Sequence, residues 1–358
     1  MPQLDKLLKF LSDKGGSDLH MLAGLPPKVR MHGQLEVINQ PVMTQEMMSE
    51  WLAEVCTPRL WNRFLEQRDL DFAYSLEGVA RFRCNFFNHQ NGLGAVFRVI
   101  PTQIKTIEEL NLKPVILEFA KLTSGLVLVT GPTGSGKSTT LAALIDYINS
   151  NYKKHIITVE DPVEFTHRNK KSVIVHREVG ADTPTFADAL RAATRQDPDV
   201  VLIGEMRDTE TIGQAISAAE MGVLVFGTLH TNNAAKTVDR IIEVFPADQQ
   251  QQVRTQLAQS LKGVVSQLLC RTVDGKGRIA CNEVLIGNSA LANAIREGAV
   301  SKILQIIEGA RGAGMQLMDD ALLENLRAGR ITPEEAYHKS QDKKAFEGFL
   351  RRPAGDMN

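Results

Sequence analysis

The chain has 358 residues, enough for two domains, and its 43% hydrophobic and 23% charged residues are ordinary for a globular protein. The net charge of −1 argues against a main partner that is nucleic acid or an anionic membrane surface. The four cysteines are scattered without a C-x-x-C pair, which argues against a zinc site or a disulfide framework. No segment resembles a signal peptide, and the longest nearly apolar run, residues 221–229, is too short to span a bilayer.

The first hundred residues predict a small α+β domain, placed at residues 1–100. Leucines at helical spacing predict a helix over residues 4–11 that stops at Gly15 and Gly16, and a second helix is predicted over 45–56. Short apolar or alternating runs predict the strands 18–22, 28–32, 34–38, 70–76, 79–87 and 94–100. The segment 101–114 is predicted to link this domain to the next.

A larger α/β domain is predicted over residues 115–288. Its core strands are predicted at 126–130, 155–159, 200–203 and 223–228. Continuous apolar runs of this kind are typical of a parallel sheet that is buried on both faces. Residues 289–358 predict a helical C-terminal region, with a frayed tail from residue 351.

One loop matches a phosphate-binding pattern. Residues 131–138 read GPTGSGKS and fit G-x-x-x-x-G-K-[ST] at every fixed position, between an apolar strand and a helical pattern. Backbone N–H groups of such a loop cradle a polyphosphate, with Lys137 expected at the β and γ phosphates and the Ser138 hydroxyl on Mg²⁺. The predicted ATP-binding residues are Gly131, Pro132, Thr133, Gly134, Ser135, Gly136, Lys137, Ser138 and Thr139.

Acidic residues follow two other predicted strands. Glu205 ends one of them, which places it at the carboxyl edge of the sheet, where open α/β sheets bind ligands. Glu160, Asp161 and Glu164 follow another, and Pro162 keeps the first two out of a helix. We expect Glu205 and Glu160 to bind Mg²⁺, partly through water, and one of the four acids to activate the attacking water. The alternative for Glu205 is an ordinary solvated acid at a strand end, and the alternative for the other three acids is a capped polar turn.

His230 follows the fourth predicted strand and is expected to donate a hydrogen bond to a γ-phosphate or to sense its loss; the alternative is a structural role. Arg81, Arg83 and Arg98 lie on predicted strands of the first domain, with Arg81 and Arg83 on one face. We expect them to supply positive charge to the nucleotide as arginine fingers, whereas the alternative is a solvated sheet face. Arg195 and Arg207 are weaker candidates for the same work.

The order of these motifs resembles the type II/IV secretion ATPase superfamily. Four segments carry the resemblance: 131–138, 160–164, 195–208 and 227–232. They correspond to the Walker A, Asp, Walker B and His boxes of that superfamily, and the resemblance covers nearly the whole chain. It implies that Lys137 and Ser138 bind phosphate and Mg²⁺ and that Glu205 is the catalytic acid.

Within the superfamily the chain resembles the PilT-type retraction ATPases of type IV pili. Assembly and type II secretion ATPases carry a long extra N-terminal domain, whereas this chain starts at the smaller domain. They usually carry a paired C-x-x-C zinc insert after the His box, where this chain has only Cys270 and Cys281.

The resemblance implies a PAS-like N-terminal domain, a RecA-like ATPase domain, and nucleotide bound between the two with arginines arriving from the first. It also implies a cytoplasmic homohexamer at the inner-membrane face that hydrolyses ATP with Mg²⁺ to depolymerise a pilus and so drive twitching motility. The implied partner is an inner-membrane platform protein of the pilus machine. Neither nucleic-acid binding nor direct membrane insertion is implied.

The chain departs from the family pattern at two places. His89 and Gln90 stand where the family commonly has Gln-Arg, and in residues 290–296 the first arginine of a retraction-linked segment is Ala292, while the second remains as Arg296. These departures leave open an accessory retraction paralogue that works with a partner motor. The motifs also leave open a pilus assembly or type II secretion ATPase, a RecA-type nucleic-acid translocase and a nucleotide-dependent scaffold that does not hydrolyse.

Overall fold

The computed structural model describes residues 2–31, 34–100 and 104–350. The chain divides into two compact units. The first holds the described residues up to 100 together with Pro162–Thr166, and the second holds Ile104–Asp161 and the described residues from His167 onward. His32 of a predicted strand, residues 101–103 of the predicted linker and the predicted tail lie outside the described residues.

The first unit is a six-stranded antiparallel sheet with three helices. Its helices are α1 (Gln3–Asp13), α2 (Gln45–Glu54) and α3 (Pro58–Gln67). Its strands are β1 (Asp18–Leu22), β2 (Lys28–Met31), β3 (Gln34–Val37), β4 (Asp69–Leu76), β5 (Ala80–His89) and β6 (Gly92–Ile100), in the sheet order β3-β2-β1-β6-β5-β4. Each helix and strand predicted here is present, and α3 is the addition.

One face of this sheet is covered by the helices. Leucines of α1, Met48 and Leu52 of α2 and Phe64 of α3 form one buried cluster with Phe82 and Phe97 of the sheet. Because successive side chains of a strand alternate between the faces, the other face carries the polar residues. The predicted arginines lie on that second face.

The second unit alternates strands and helices. Its strands are β7 (Gly125–Thr130), β8 (His155–Glu160), β9 (Val173–Glu178), β10 (Val200–Ile203), β11 (Leu224–Leu229), β12 (Leu261–Arg271) and β13 (Arg278–Ile286). Its helices are α4 (Pro114–Glu118), α5 (Lys137–Asn151), α6 (Phe186–Ala193), α7 (Thr209–Glu220), α8 (Ala234–Glu243), α9 (Gln250–Ser260), α10 (Ser289–Arg296), α11 (Ile303–Gly309), α12 (Met318–Arg327), α13 (Pro333–Lys339) and α14 (Lys344–Leu350).

The sheet of the second unit is parallel except at one edge. Its order is β13-β12-β7-β11-β10-β8-β9, and only β13 runs antiparallel, paired to β12. The four predicted core strands are confirmed as its centre. Strands β9, β12 and β13 extend it beyond the prediction.

Both faces of this sheet are buried. Leu126 and Leu128 of β7 belong to a core that includes helices α6 to α9, whereas Val127 and Val129 belong to a second core that includes α5. The second core also buries Ile107 and Leu112, so residues 104–113 of the predicted linker pack with the second unit. Apolar side chains on both sides of each strand explain why the strands read as continuous apolar runs.

The C-terminal helices complete the second unit, in agreement with the helical region predicted there. Helices α12 to α14 form a separate small core with Cys270 and Cys281 of the β12–β13 hairpin. All cysteines are free thiols, and three of the four are buried. In the described parts of the chain, no helix combines the length and the apolar composition needed to cross a bilayer.

Candidate functional site

The phosphate loop connects β7 to α5. Gly136 caps the helix with φ of 88°, a left-handed conformation that costs glycine little, so that α5 begins at Lys137. The loop is tied to the neighbouring strand because the Gly131 N–H donates to the carbonyl oxygen of Leu229 at 3.3 Å. Its backbone therefore lies at the carboxyl edge of the sheet, at a helix N-terminus that favours anions.

The residues of the loop fit a polyphosphate. The Lys137 ammonium donates to the carbonyl oxygens of Gly131 at 2.9 Å and Pro132 at 3.2 Å, which folds the lysine back over its own loop. Ser135 Oγ is buried and has no hydrogen-bond partner among the described residues. A cation above the loop and a buried hydroxyl within it are groups that a bound anion would satisfy. Ser138 follows Lys137 in the first turn of α5, which suits it to a metal ion held beside the phosphates.

Three of the other strands that end at this edge carry predicted site residues there. Strand β11 pairs with β7, β10 pairs with β11, and β8 pairs with β10, all in parallel. Parallel strands end on the same side of a sheet, so Glu160 at the end of β8, Glu205 after β10 and His230 after β11 lie along one edge with the loop. This edge is where ligands bind in open α/β sheets.

Glu205 lies between the side chains of Arg207 and His230. Arg207 contacts both of its carboxylate oxygens, Nε to Oε1 at 2.6 Å and Nη2 to Oε2 at 2.6 Å, and His230 Nε2 lies 3.2 Å from Oε1. Burial opposes ionisation of the carboxyl, but the hydrogen bonds and charges of Arg207 and His230 outweigh it and lower the pKa of Glu205. The group is therefore a carboxylate at neutral pH.

The other predicted acids are distributed between the two units. Glu160 is only 8% exposed, whereas Asp161 is exposed and adds to the effect of Glu205 in raising the pKa of the Arg207 guanidinium. Glu164 is exposed and belongs to the first unit. The structure thus brings Glu205, His230 and Arg207 into direct contact, and Arg207 was only a weaker candidate from the sequence.

The predicted arginines lie on the polar face of the first unit. Arg30, Asp18, Arg98 and Arg83 occupy directly paired positions on β2, β1, β6 and β5, so they form a charged row across four strands. Asp18 accepts a hydrogen bond from Arg98 Nε at 2.7 Å and lies 3.8 Å from Arg30 Nε. Arg81 lies two residues before Arg83 and shares its face. Arg98 therefore has a structural partner in Asp18.

The sequence did not single out Gln267. This residue of β12 is 2% exposed and donates from Nε2 to the Ser135 carbonyl oxygen of the phosphate loop at 2.7 Å. Its strand was not predicted because polar residues interrupt the apolar run. The available signal was a glutamine within an otherwise apolar run. Such a residue indicates a specific hydrogen-bond partner, because buried polar groups are hydrogen-bonded.

The two departures from the family pattern lie in regular structure. Residues 290–296 fall within α10, where Ala292 is partly buried against the core and the exposed Arg296 donates to Asn293 Oδ1 at 2.7 Å. His89 ends β5 and makes local hydrogen bonds within the β5–β6 turn, through Nδ1 with the Asn91 N–H and through Nε2 with the Leu93 carbonyl oxygen.

Comparisons with known proteins agree with these motifs. A model of the family described as Type II/IV secretion system protein matches residues 28–338. The chain is 46% identical over 343 residues to the type IV pilus retraction ATPase PilT of Pseudomonas aeruginosa. The aligned region covers 96% of this chain and 99% of the relative. It is 41% identical over 334 residues to the type IV pilus ATPase PilU of the same organism, and this alignment covers 93% of this chain and 87% of the relative.

A solved structure gives the same result for the fold. The pilus retraction motor PilT with bound ADP matches with a TM-score of 0.89 and 42% identity, over 96% of this chain and 98% of that one. The predicted fold of an N-terminal domain followed by a RecA-like ATPase domain is confirmed. The chain therefore belongs to the type II/IV secretion system protein family, in which its close relatives include pilus retraction ATPases.

Proposed function

We propose that this chain is an ATPase motor that powers the retraction of type IV pili. The observation that carries the proposal is the arrangement at one sheet edge, where a phosphate loop with Lys137 lies beside the strand ends that bear His230 and an ionised Glu205. The similarity to a retraction ATPase over nearly the full length of both chains supports the direction of the motor.

The substrate we propose is ATP bound with Mg²⁺. The loop N–H groups and Lys137 bind the phosphates, while Ser138, with Glu205 and Glu160 partly through water, would hold the metal. The metal, when bound, supplies positive charge that neutralises the phosphate oxygens. ADP in the PilT structure supports a nucleotide in the same fold.

Glu205 is the residue that we propose activates the attacking water. A carboxylate in a two-point ion pair is a weak base, because Oε2 accepts a hydrogen bond from Arg207 Nη2 and Oε1 lies 2.6 Å from Arg207 Nε. Each carboxylate oxygen has two lone pairs, so Oε2, which accepts one hydrogen bond from Arg207 Nη2, keeps a second lone pair for the proton of the attacking water. Once Glu205 takes that proton it loses its charge and the ion pair weakens, which frees the guanidinium to neutralise charge that develops on the phosphate.

His230 and the arginines of the first unit complete the proposed machinery. His230 contacts Oε1 of Glu205, the oxygen that Arg207 Nε also contacts, so it is suited to report the state of the carboxylate when the γ-phosphate leaves. Arg81, Arg83 and Arg98 would supply charge to the transition state in the same or a neighbouring copy. An arginine used in this way raises turnover by about 10³–10⁵.

The assembly that we propose is a homohexamer at the cytoplasmic face of the inner membrane. Its partner is the platform protein of the pilus machine, and a paralogous retraction ATPase is a further candidate partner. The similarity to both PilT and PilU of one organism supports a paralogous retraction ATPase as a partner class.

An accessory retraction motor is the second candidate function. The observation in its favour is Ala292 on α10, where retraction ATPases carry the first arginine of the retraction-linked segment, together with 41% identity to PilU. An accessory motor would hydrolyse ATP but would fail to retract pili without its partner.

Steady-state ATP hydrolysis by the purified chain tests the proposed activity. Wild-type protein should turn over Mg-ATP, and Lys137→Ala should abolish binding or turnover because the phosphates lose their main cation. A Lys137→Ala protein with wild-type turnover would overturn the assignment of the phosphate loop.

A further inference from the structure

The buried side-chain amide of Gln267, on β12, contacts the phosphate loop. Gln267 Nε2 donates to the Ser135 carbonyl oxygen at 2.7 Å, and its Oε1 accepts from Thr140 Oγ1 at 2.8 Å. Ser135 lies within the loop and Thr140 lies in the first turn of α5. One side chain thus connects the loop and the helix that follows it to the neighbouring strand.

The orientation of this amide is fixed by its surroundings. Oε1 accepts a second hydrogen bond, from Asn282 Nδ2 at 2.9 Å. Reversing the amide would place Oε1 against the Ser135 carbonyl oxygen, which can only accept, and an NH₂ group against the Asn282 NH₂ group. Nε2 therefore faces the carbonyl of Ser135.

The loop lies unusually close to Gln267. A β-carbon on Gly136 would lie 2.8 Å from Gln267 Nε2, and one on Gly131 would lie 2.3 Å from the Gln267 carbonyl oxygen. Both glycines also have positive φ, 88° and 144°. The loop therefore packs closely against Gln267 near both of its ends, at two positions where a side chain would clash with this residue.

Holding the Ser135 carbonyl has a direct consequence for the next N–H group. In a trans peptide the carbonyl of one residue and the N–H of the next point in opposite directions. Because Gln267 holds the Ser135 carbonyl toward β12, the Gly136 N–H must point away from β12. That N–H belongs to the N-terminus of α5, where anions are bound.

We propose that Gln267 is a positioning residue that sets the phosphate loop in its nucleotide-binding conformation. It touches no reacting atom and acts by fixing the direction of the loop N–H groups. The effect on turnover rests on the proposed ATP hydrolysis, whereas the effect on nucleotide binding rests only on the loop being a phosphate site.

Two substitutions at Gln267 test the contact to the loop, and Gln267→Glu isolates it from the contacts to Thr140 and Asn282. Gln267→Glu retains acceptors for Thr140 and Asn282 but places a carboxylate oxygen opposite the Ser135 carbonyl. Gln267→Met removes the amide without adding charge. Loss or reversal of a buried hydrogen bond should weaken ADP binding on the order of tenfold or more.

A matched control lies one step farther along the same network. Gln316 is also a buried glutamine, and its Nε2 donates to the Asn282 carbonyl oxygen at 2.7 Å. Its backbone pairs with Val284. Gln316→Met should therefore lower the melting temperature much as Gln267→Met does, but leave ADP affinity unchanged.

The experiment is a calorimetric titration of ADP into each full-length protein, with thermal melts as the measure of folding. The proposal predicts weaker ADP binding in both Gln267 variants and wild-type affinity in Gln316→Met. If Gln267→Glu does not fold, the ADP affinities of Gln267→Met and Gln316→Met decide whether the proposal holds. ADP affinity within about threefold of wild type in folded Gln267→Met, or an equal loss in Gln316→Met, would overturn the proposal. Wild-type protein that binds ADP but does not hydrolyse ATP would contradict the proposed function and leave this test intact.

Discussion

At the scale of single residues, the ion pair of Glu205 with Arg207 sets the chemistry of the site. Glu205→Gln removes the charge but keeps the size of the side chain, so it should bind Mg-ATP and hydrolyse it about 10²–10⁴-fold more slowly. Nucleotide binding and single-turnover hydrolysis measured on the same preparation separate the two effects. Turnover close to wild type would move the base to Glu160, Asp161 or Glu164.

Arg83 tests whether the charged row of the first unit acts in hydrolysis. Arg83→Ala should reduce kcat by at least about tenfold with little change in melting temperature, because the exposed side chain contributes charge and little packing. Arg63→Ala is the matched control, since Arg63 is an exposed arginine on α3 whose side chain donates to Gln67 of the same helix. Equal kinetics in the two variants would favour a solvated sheet face.

His167 predicts a dependence of stability on pH. Burial and the neighbouring His176 lower the pKa of His167 from 6.5 to about 4, against the opposing charge of Asp146, while Lys170 adds to the lowering. The folded state therefore binds fewer protons than the unfolded chain between these values, and stability falls as the pH falls from 6.5 toward 4. Wild-type protein should lose about 1–2 kcal/mol more unfolding free energy than His167→Gln between pH 7 and 4.5. Urea unfolding of both proteins measures this, and parallel pH profiles would contradict it.

The sequence could predict residue types at strand ends but not their partners. Lys137, Glu205 and His230 follow apolar strands, so their common edge could be deduced from the rule for parallel sheets. The pairing of Arg207 with Glu205 depends on side-chain rotamers, and that of Arg98 with Asp18 depends on the strand order of the first sheet. Neither is encoded in local spacing.

At the scale of elements, Asp208 shows how a residue beside the site serves the fold. Its carboxylate accepts hydrogen bonds from the Thr211 N–H at 2.8 Å and Thr211 Oγ1 at 2.7 Å and so caps α7. Asp208→Ala should destabilise the protein by about 0.5–2 kcal/mol, and Asp208→Asn should restore most of this loss. Turnover per folded molecule should stay at the wild-type level, and a loss of kcat in a fully folded variant would instead give Asp208 a part in catalysis.

Element prediction succeeded where the pattern was uniform. Strands β7, β8, β10 and β11 are buried along nearly their whole length and read as apolar runs. Strand β12 was missed because its buried residues include Ser266, which hydrogen-bonds to Thr130, and Gln267, which hydrogen-bonds to the phosphate loop. Tertiary hydrogen bonds there override the local signal.

At the scale of the whole molecule, the fold provides two units with different chemistry. One carries a row of arginines on a sheet face, and the other carries the phosphate loop with Glu160 and Glu205. The similarity to PilT extends over both units. The extent of the linker could not be predicted from composition, because residues 104–113 resemble a linker but bury Ile107 and Leu112.

The proposed ring predicts the particle mass. A homohexamer should have six times the chain mass of 39.5 kDa. Light scattering of the purified protein with and without ATP measures it, and closed point-group symmetry is the expectation for such an assembly. A monomer under every nucleotide condition would contradict the ring.

Counting pili on cells that lack this gene tests the central claim most directly. The strain should carry many surface pili that do not shorten, and it should lose surface motility. The wild-type gene should restore pilus shortening and surface motility, and a gene carrying Lys137→Ala should restore neither. A strain without pili would instead identify an assembly motor, and a strain with normal, shortening pili would contradict a primary role in retraction.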